Sequence, residues 1–232
     1  MKDVLPVPAI DHLTINHLGL TDYMSVWSDM KTFTSARLPE SPDAIWVTEH
    51  RPVYTLGLAG LESHVLDPGG IALVKTDRGG QVTYHGPGQL VVYPLLELRR
   101  YGLKVREYVT LLEQAIIDAL SELGLPKACR KVSAPGVYLP WDHPGDGLVK
   151  VAALGIKVRQ GCTYHGLSLN VNMDLQPFLG INPCGYEGLK TVDLKSAGVK
   201  MPMPEVADIL LRHLLTGLQQ ARSAAKANSA MP

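Results

Sequence analysis

The chain has 232 residues, of which 46% are hydrophobic, so it can bury a sizeable core as one domain, and no low-complexity linker divides it. Lysine plus arginine and aspartate plus glutamate both total 22, so the overall charge favours neither nucleic acid nor an anionic membrane as a partner.

The composition also indicates the compartment. The first eight residues contain two prolines and an acid, where a secretory signal needs an uninterrupted apolar stretch. The densest apolar run, 90–96, is far shorter than the ~20 residues that span a bilayer. Three cysteines form neither a CxxC pair nor an even disulfide framework, which suits a reducing environment and permits a free thiol. We therefore expect a soluble, cytoplasmic protein.

Six runs rich in β-branched or aromatic residues, bounded by Gly, Pro or Asp, predict strands. Apolar residues recur at helical spacing between 104 and 123, where Gly124 and Pro126 follow, and again from Pro204 onward. The pattern predicts an α/β (α+β) fold in which helices flank a mixed, largely antiparallel sheet. The predicted strands are 44–48, 71–75, 89–93, 136–139, 149–158 and 163–171.

Residues 78–89 read Arg-Gly-Gly-Gln-Val-Thr-Tyr-His-Gly-Pro-Gly-Gln, which surrounds a histidine with four glycines inside a strand pattern. Glycine lets the chain turn, or approach a ligand closely, without a Cβ in the way. The segment therefore indicates a binding site, and the alternative is a glycine-rich hairpin with a satisfied core histidine. Its Thr83–His85 tripeptide and Gly86 recur as Thr-Tyr-His-Gly at 163–166, an echo too short to indicate duplication.

Two further motifs lie far along the chain. Residues 150–156 read Lys-Val-Ala-Ala-Leu-Gly-Ile and residues 182–186 read Asn-Pro-Cys-Gly-Tyr. Together with the segment at 78–89, and in this order, they resemble the octanoyltransferases of lipoate biosynthesis, also called lipoyl(octanoyl) transferases. The resemblance covers most of the chain, and it implies the fold of the biotin/lipoate protein ligase-like superfamily. It also implies an acyltransferase domain over 1–222 with a catalytic core at about 30–215, while 223–232 lack an apolar pattern and are predicted to be a disordered tail.

The resemblance assigns the chemistry to Cys184 and Lys150. Cysteine reacts as a thiolate, so a catalytic cysteine needs a nearby cation, base or helix N-terminus. In the family, the cysteine matching Cys184 carries an acyl thioester and the lysine matching Lys150 lowers its pKa. Lys150 lies 34 positions earlier, so only the fold can bring the two together. On the residues alone, Cys184 is equally well a small residue in an Asn-Pro-Cys-Gly turn.

The implied reaction moves an octanoyl group from the phosphopantetheine thioester of acyl carrier protein to a lysine of a lipoyl domain, through an acyl-Cys184 intermediate. Lys150 is a candidate base for the incoming amine, and His85 a possible helper or hydrogen-bonding residue. Amides near Ala153–Gly155 are candidates for an oxyanion site. The positions that match substrate-contact motifs are Arg78, Gly79, Gly80, Gln81, Val82, Thr83, Tyr84, His85, Ala153, Leu154, Gly155, Gly166, Leu167 and Ser168.

The family also implies partners and cofactors. The expected partners are octanoyl-acyl carrier protein, the apo lipoyl domains of 2-oxoacid dehydrogenase complexes and the glycine cleavage H protein. A basic ridge at Arg99, Arg100, Lys104 and Arg106 is a candidate docking face for these acidic proteins, although charge runs are usually only solvated. No bound cofactor, ATP or metal is expected, since the eight histidines show no recognised ligand spacing with cysteine.

Two other functions stay open. An ATP-dependent lipoate or biotin protein ligase resembles the same scaffold and also uses a lysine at the position of Lys150, but it has no need of a nucleophilic cysteine. A non-catalytic protein that binds acyl carrier protein or lipoyl domains would bind its partners equally well as Cys184→Ala.

Overall fold

A computed structural model of the chain describes residues 10–132, 134–141, 147–185 and 188–229, without the side chains of residues 184 and 229. Nine strands and three α-helices form within these residues, together with short 3-10 turns. In chain order they are β1 (Leu13–Thr21), α1 (Tyr23–Ser35), β2 (Asp43–His50), β3 (Val53–Leu56), β4 (Leu73–Lys75), β5 (Val82–His85), β6 (Gln89–Leu95), α2 (Val105–Glu122), β7 (Gly136–Pro140), β8 (Leu148–Arg159), β9 (Cys162–Asn170) and α3 (Met203–Ser229).

The strands form two sheets. A six-stranded sheet has the order β1-β2-β6-β9-β8-β7, in which β1 and β2 run parallel and every other neighbouring pair is antiparallel. A small sheet has the order β4-β3-β5, with one parallel and one antiparallel pair. The predicted mixed, largely antiparallel sheet with flanking helices is therefore confirmed.

The large sheet is covered on both faces, because alternate residues of a strand point to opposite sides. Leu90 and Val92 of β6 belong to the main core beneath α2 and α3. Val91, Tyr93 and Leu95 point the other way and pack against α1. Burial on both faces explains why β6 is apolar along nearly its whole length.

Several elements differ from the sequence predictions. The strand predicted at 71–75 is shorter, β1, α1 and β3 were not predicted, and β5 was indicated only as a strand pattern within 78–89. Helix α3 continues to Ser229, past residue 222 where order was expected to end, and residues 230–232 lie outside the described residues. Alanine is the best helix former, and Ala225 lies against Gly102, where an added Cβ would be 2.7 Å from the Ala225 Cβ.

None of the helices in the described part of the chain is both long enough and apolar enough to cross a bilayer.

Candidate active site

A cavity lies between the α1 face of the large sheet and the small sheet. Strands β6, β9 and β8 form its floor, and the glycine-rich segment that leads into β5 forms its roof. The lining residues are Tyr23, Arg78, Gly80, Gln81, Val82, Thr83, His85, Gln89, Val91, Tyr93, Lys150, Ala152, Ala153, Leu154, Gly155, His165, Gly166, Leu167, Ser168, Asn170, Phe178, Pro183 and Thr191.

The cavity therefore brings together most of the residues that the motifs predicted, from three distant stretches of sequence. Two predicted contact residues do not line it. Gly79 instead donates its N–H to the Ile156 carbonyl oxygen (2.9 Å), which fastens the roof to β8. Tyr84 is buried and packs its ring edge-to-face against Phe178, at 5.5 Å between centroids.

Lys150 is buried in β8, with 4% of its surface exposed, and it lines the cavity. Its ammonium donates a hydrogen bond to the Pro135 carbonyl oxygen (3.0 Å). The next residue, Gly136, has φ +142°, and a Cβ there would lie 2.6 Å from Lys150 Cε and 2.9 Å from Nζ. Only glycine allows the chain to pass so close to this ammonium. The sequence showed Gly136 only as a strand start.

A buried carboxylate holds this segment in place. Glu113 projects from α2 and is 7% exposed. Its Oε1 accepts the Gly136 N–H (3.0 Å), and its Oε2 accepts Arg130 Nε (3.0 Å). Gly136 directly follows Pro135. By binding the Gly136 N–H, Glu113 therefore also positions the Pro135 carbonyl oxygen, which accepts the hydrogen bond from the Lys150 ammonium. No pattern in the sequence marks Glu113, which sits among apolar positions of an amphipathic helix.

Cys184 lies in the 3-10 turn Pro183–Gly185, and its side chain is outside the described part of the structure. The turn is fixed by the Asn182 N–H, which donates to the His64 carbonyl oxygen (2.8 Å). Gly185 has φ +74°, a conformation that favours glycine. Pro183 is buried and lines the same cavity as Lys150. The predicted pairing of Cys184 with Lys150 stays a prediction, which this placement of the turn supports.

Arg78 lines the cavity, but its guanidinium is used to hold the roof. Its Nε and Nη2 donate to Thr55 Oγ1 (3.1 and 2.9 Å), and its Nη1 donates to the Gly79 carbonyl oxygen (2.8 Å). Gly57, just after β3, would place a Cβ 2.3 Å from the Gly80 carbonyl oxygen. The small sheet and the glycine-rich segment are thus packed backbone against backbone.

A chain of amides fixes the tautomer of His85. The Val192 carbonyl oxygen accepts from Asn170 Nδ2 (3.0 Å), so Asn170 Oδ1 is the atom that accepts from Gln89 Nε2 (2.9 Å). Gln89 Oε1 then accepts from His85 Nδ1 (2.7 Å), which must carry the proton. Burial lowers the pKa of His85 to about 3, so the ring is neutral near pH 7. This arrangement favours the hydrogen-bonding role over that of a base.

His165 is held by a second network and has φ +58°, in the left-handed region. Asp77 accepts hydrogen bonds from His165 Nε2 (2.9 Å), from Trp27 Nε1 (2.9 Å) and from the Tyr164 hydroxyl. Burial acts to raise the pKa of Asp77, but these hydrogen bonds outweigh it and hold that pKa well below its usual range. Burial lowers the pKa of His165 despite the carboxylate. The short Thr-Tyr-His-Gly echo thus contributes two neutral histidines to one cavity.

The basic ridge is partly used within the protein. Arg100 Nε pairs with Glu97 (3.0 Å), and Arg100 Nη1 lies 3.4 Å from the buried Asp43 carboxylate. Arg99, Lys104 and Arg106 are the ridge residues that remain candidates for docking. Cys162 is buried beside this region, and burial raises the pKa of its thiol, so Cys162 is a packing residue.

Across residues 10–132, 134–141, 147–185 and 188–229, no three His, Cys, Asp or Glu side chains cluster as a metal site would require. The expectation that the protein binds no metal stays a prediction.

Comparison with known proteins identifies similar sequences and folds. Residues 22–215 match the model of the lipoyl protein ligase A/B catalytic domain. The chain is 59% identical over 200 residues to a Bordetella pertussis protein named octanoyltransferase, covering 86% of this chain and 90% of that one. An Aromatoleum aromaticum protein of the same name is 55% identical over 208 residues, covering 90% and 85%.

Among solved structures, a lipoate-protein ligase A bound with ATP superposes with a TM-score of 0.70 at 14% identity, covering 93% of this chain and 92% of that one. At this identity the likeness concerns the fold alone. The two architectures share the arrangement of sheet and helices described above.

Proposed function

This chain belongs to the lipoyl protein ligase A/B catalytic domain family, among its octanoyltransferases, and we propose that acyl carrier protein is its donor and Cys184 its nucleophile. The observation that carries the proposal is the shared cavity. Lys150, a buried lysine, and Pro183, the neighbour of Cys184, line the same space. A cation near a thiol stabilises the thiolate, which is the nucleophilic form.

In the first step the Cys184 thiolate attacks the carbonyl carbon of the octanoyl thioester on phosphopantetheine. A new S–C bond forms, the old one breaks, and the phosphopantetheine thiolate leaves and takes up a proton. Lys150 keeps the attacking sulfur ionised. Backbone N–H groups near Ala153–Gly155 are the candidates for the oxyanion site.

In the second step the ε-amine of the acceptor lysine attacks the Cys184 thioester. An amide bond forms, the C–S bond breaks and the thiolate is regenerated. The attacking amine must lose a proton, and Lys150 in its neutral form is the candidate acceptor. His85 is less suited to this role, because its Nε2 lone pair already faces Thr55 Oγ1 at 3.5 Å.

The acyl chain fits across the strands of the floor. Lys150 belongs to β8, and His50, which contacts Tyr23, ends β2. Strands β9 and β6 lie between, so three strand spacings, about 14 Å, separate these walls. Ala153, Ser168 and Val91, which lie side by side across β8, β9 and β6, have small side chains. Burying six methylenes there contributes at most about 5 kcal/mol, at ~0.8 kcal/mol each.

The acceptors in this proposal are the apo lipoyl domains of 2-oxoacid dehydrogenase complexes and the glycine cleavage H protein, and the setting is the cytoplasm. One structural neighbour comes from a structural analysis of a bipartite lipoate protein ligase and its E2 lipoyl domain from Thermoplasma acidophilum, and it superposes with a TM-score of 0.68 at 15% identity, covering 93% of this chain and 90% of that one. Docking uses Arg99, Lys104 and Arg106, whose charge suits acidic carrier domains. No ATP or bound cofactor takes part.

The alternative function is that of an ATP-dependent ligase, because a protein of the same fold is a lipoate-protein ligase bound with ATP.

The test mixes the purified protein with octanoyl-acyl carrier protein and an apo lipoyl domain, without ATP, and measures the mass of the lipoyl domain by mass spectrometry. We expect the domain to gain one octanoyl group. Modification only with ATP and free octanoate would establish the ligase instead. If the lipoyl domain is not modified under either condition, the remaining function is that of a non-catalytic protein that binds acyl carrier protein or lipoyl domains.

A further inference from the structure

The wall of the cavity opposite Lys150 is unexpectedly polar for a site that holds a hydrocarbon tail. Rings of Tyr23, His85, Tyr93 and His165 line it. All four are buried, with at most 6% of their surface exposed. Burying a polar group without a hydrogen-bond partner costs free energy of folding, so an unpaired polar group in this wall indicates a partner that binds there.

Tyr23 has no hydrogen-bond partner for its hydroxyl among the described residues. Its ring stacks on His85 at 5.8 Å and meets His50 edge-to-face at 5.2 Å, so its position is set by neighbouring rings. Thr76, whose Oγ1 donates its own proton to the Leu56 carbonyl oxygen (3.2 Å), lies close enough to lower the pKa of Tyr23, but its oxygen is not in hydrogen-bond geometry with the hydroxyl. Burial raises the pKa of Tyr23 to about 12, so the group is a neutral phenol that can both donate and accept.

His165 offers an acceptor in the same wall. Its Nε2 donates to Asp77, which leaves a lone pair on Nδ1, and no described residue donates to that atom. Trp27 is in ring contact with both Tyr23 and His165, at 6.4 Å each, so the two polar groups flank one side chain. The left-handed backbone of His165 shows that the fold keeps this ring in place at some conformational cost.

We propose that this wall is a hydrogen-bonding subsite for an oxygen at the far end of the acyl chain, so that the cavity accepts medium-length acyl groups with a distal hydroxyl. The inference rests on the proposed function, since the acyl carbonyl must lie at Lys150 and the tail must cross β9 and β6. A distal hydroxyl in this wall hydrogen-bonds to Tyr23 Oη or donates its proton to His165 Nδ1.

The test compares two donors, octanoyl-acyl carrier protein and its ω-hydroxyoctanoyl analogue, by the rate at which each loads the enzyme in a single turnover. An apolar wall would leave the hydroxyl unpaired and slow the analogue roughly 5- to 150-fold. We expect the wild type to load the analogue within about threefold of octanoyl. A larger discrimination by the wild type overturns the proposal.

The variant Tyr23→Phe removes only the phenolic oxygen, and we expect it to lower the rate ratio of hydroxylated to plain chain about tenfold. Tyr108→Phe is the matched control, because Tyr108 is fully buried but does not line the cavity. Its ratio should stay at the wild-type value. His165→Asn, which keeps a residue tolerant of positive φ, should lower the ratio as Tyr23→Phe does.

A ratio that does not change in Tyr23→Phe would overturn the subsite while octanoyl loading still supports the proposed function. If neither the octanoyl nor the ω-hydroxyoctanoyl group is transferred to the wild-type enzyme, both the proposed function and the subsite are wrong.

Discussion

At the scale of single residues, the site depends on a few atoms that hold Lys150. Its ammonium is fixed by the Pro135 carbonyl, Gly136 gives it room, and Glu113 anchors both. A lysine fixed in this way is a point charge in a defined place, which suits it to stabilise a neighbouring thiolate.

Lys150→Ala should slow octanoyl loading about 10²- to 10⁴-fold, because the Cys184 thiol loses its cation. The rate at which iodoacetamide alkylates the Cys184 peptide, followed by mass spectrometry against pH, reports this thiol separately from the free Cys129 and Cys162, and its midpoint should move to higher pH. Lys157→Ala changes the same strand away from the cavity and is the control. An unchanged alkylation profile in Lys150→Ala would show that the two residues do not interact.

Gly136→Ala should reduce loading as strongly as the loss of Lys150, because the added methyl overlaps the lysine Cε and Nζ. Gly124→Ala is the control for backbone strain alone, since Gly124 also has positive φ (+90°) but no atom lies within 4 Å of its added Cβ. Gly124→Ala should lose about 1–3 kcal/mol of stability, measured by urea unfolding, and Gly136→Ala should lose more, because its added Cβ also lies 2.8 Å from the Ala152 carbonyl oxygen. Equal loading rates in the two variants would contradict a specific contact with Lys150.

At the scale of secondary-structure elements, the strongly patterned ones were predictable. The apolar runs of β6 and β8 and the periodic helix α2 follow from sequence alone. Helix α1 was missed because serines and threonines interrupt its apolar stripe, and β1 because most of its residues are exposed. Tyr23 belongs to α1, so missing the helix also hid the polar wall.

The motifs identified Lys150 and the roof, but not the partners that hold them. Glu113, Asp77 and Tyr93 are ordinary residues in sequence, and their roles arise from contacts between segments far apart in the chain. The tautomer of His85 likewise depends on Asn170, 85 positions later by number, through Gln89. Such networks require the tertiary fold and leave no local pattern.

The roof depends on Arg78, which joins the glycine-rich segment to β3. Arg78→Lys should destabilise the protein by about 1–3 kcal/mol, because a single ammonium cannot replace three guanidinium donors and leaves buried acceptors unpaired. Arg51→Lys, at an exposed position, is the control. Urea unfolding measures the difference, and equal midpoints for the two variants would contradict this role of Arg78.

At the scale of the whole molecule, two sheets enclose one cavity that is closed by neutral histidines, and this couples stability to pH. Burial lowers the pKa of His50 to about 4. The unfolded chain, with an ordinary histidine pKa near 6.5, binds protons more tightly below that pH. The contribution of neutral His50 to the free energy of unfolding is therefore fully present above pH 6.5 and is lost as the pH falls towards 4.

Through His50 alone, the free energy of unfolding should be lower by roughly 2 kcal/mol at pH 5 than at pH 7.5. Urea unfolding at pH 7.5 and pH 5 should show a smaller decline for His50→Gln than for the wild type. His17→Gln, at an exposed histidine, should decline as the wild type does. Parallel declines in all three proteins would show that His50 is not the group that titrates.

The most direct measurement of the central claim is the intact mass of the enzyme after mixing with octanoyl-acyl carrier protein alone. We predict one octanoyl adduct on the wild type, absent from Cys184→Ala, released by hydroxylamine as a thioester is, and discharged by an apo lipoyl domain. An adduct that persists in Cys184→Ala, or a lipoyl domain that is octanoylated by that variant at the wild-type rate, would contradict the acyl-cysteine account.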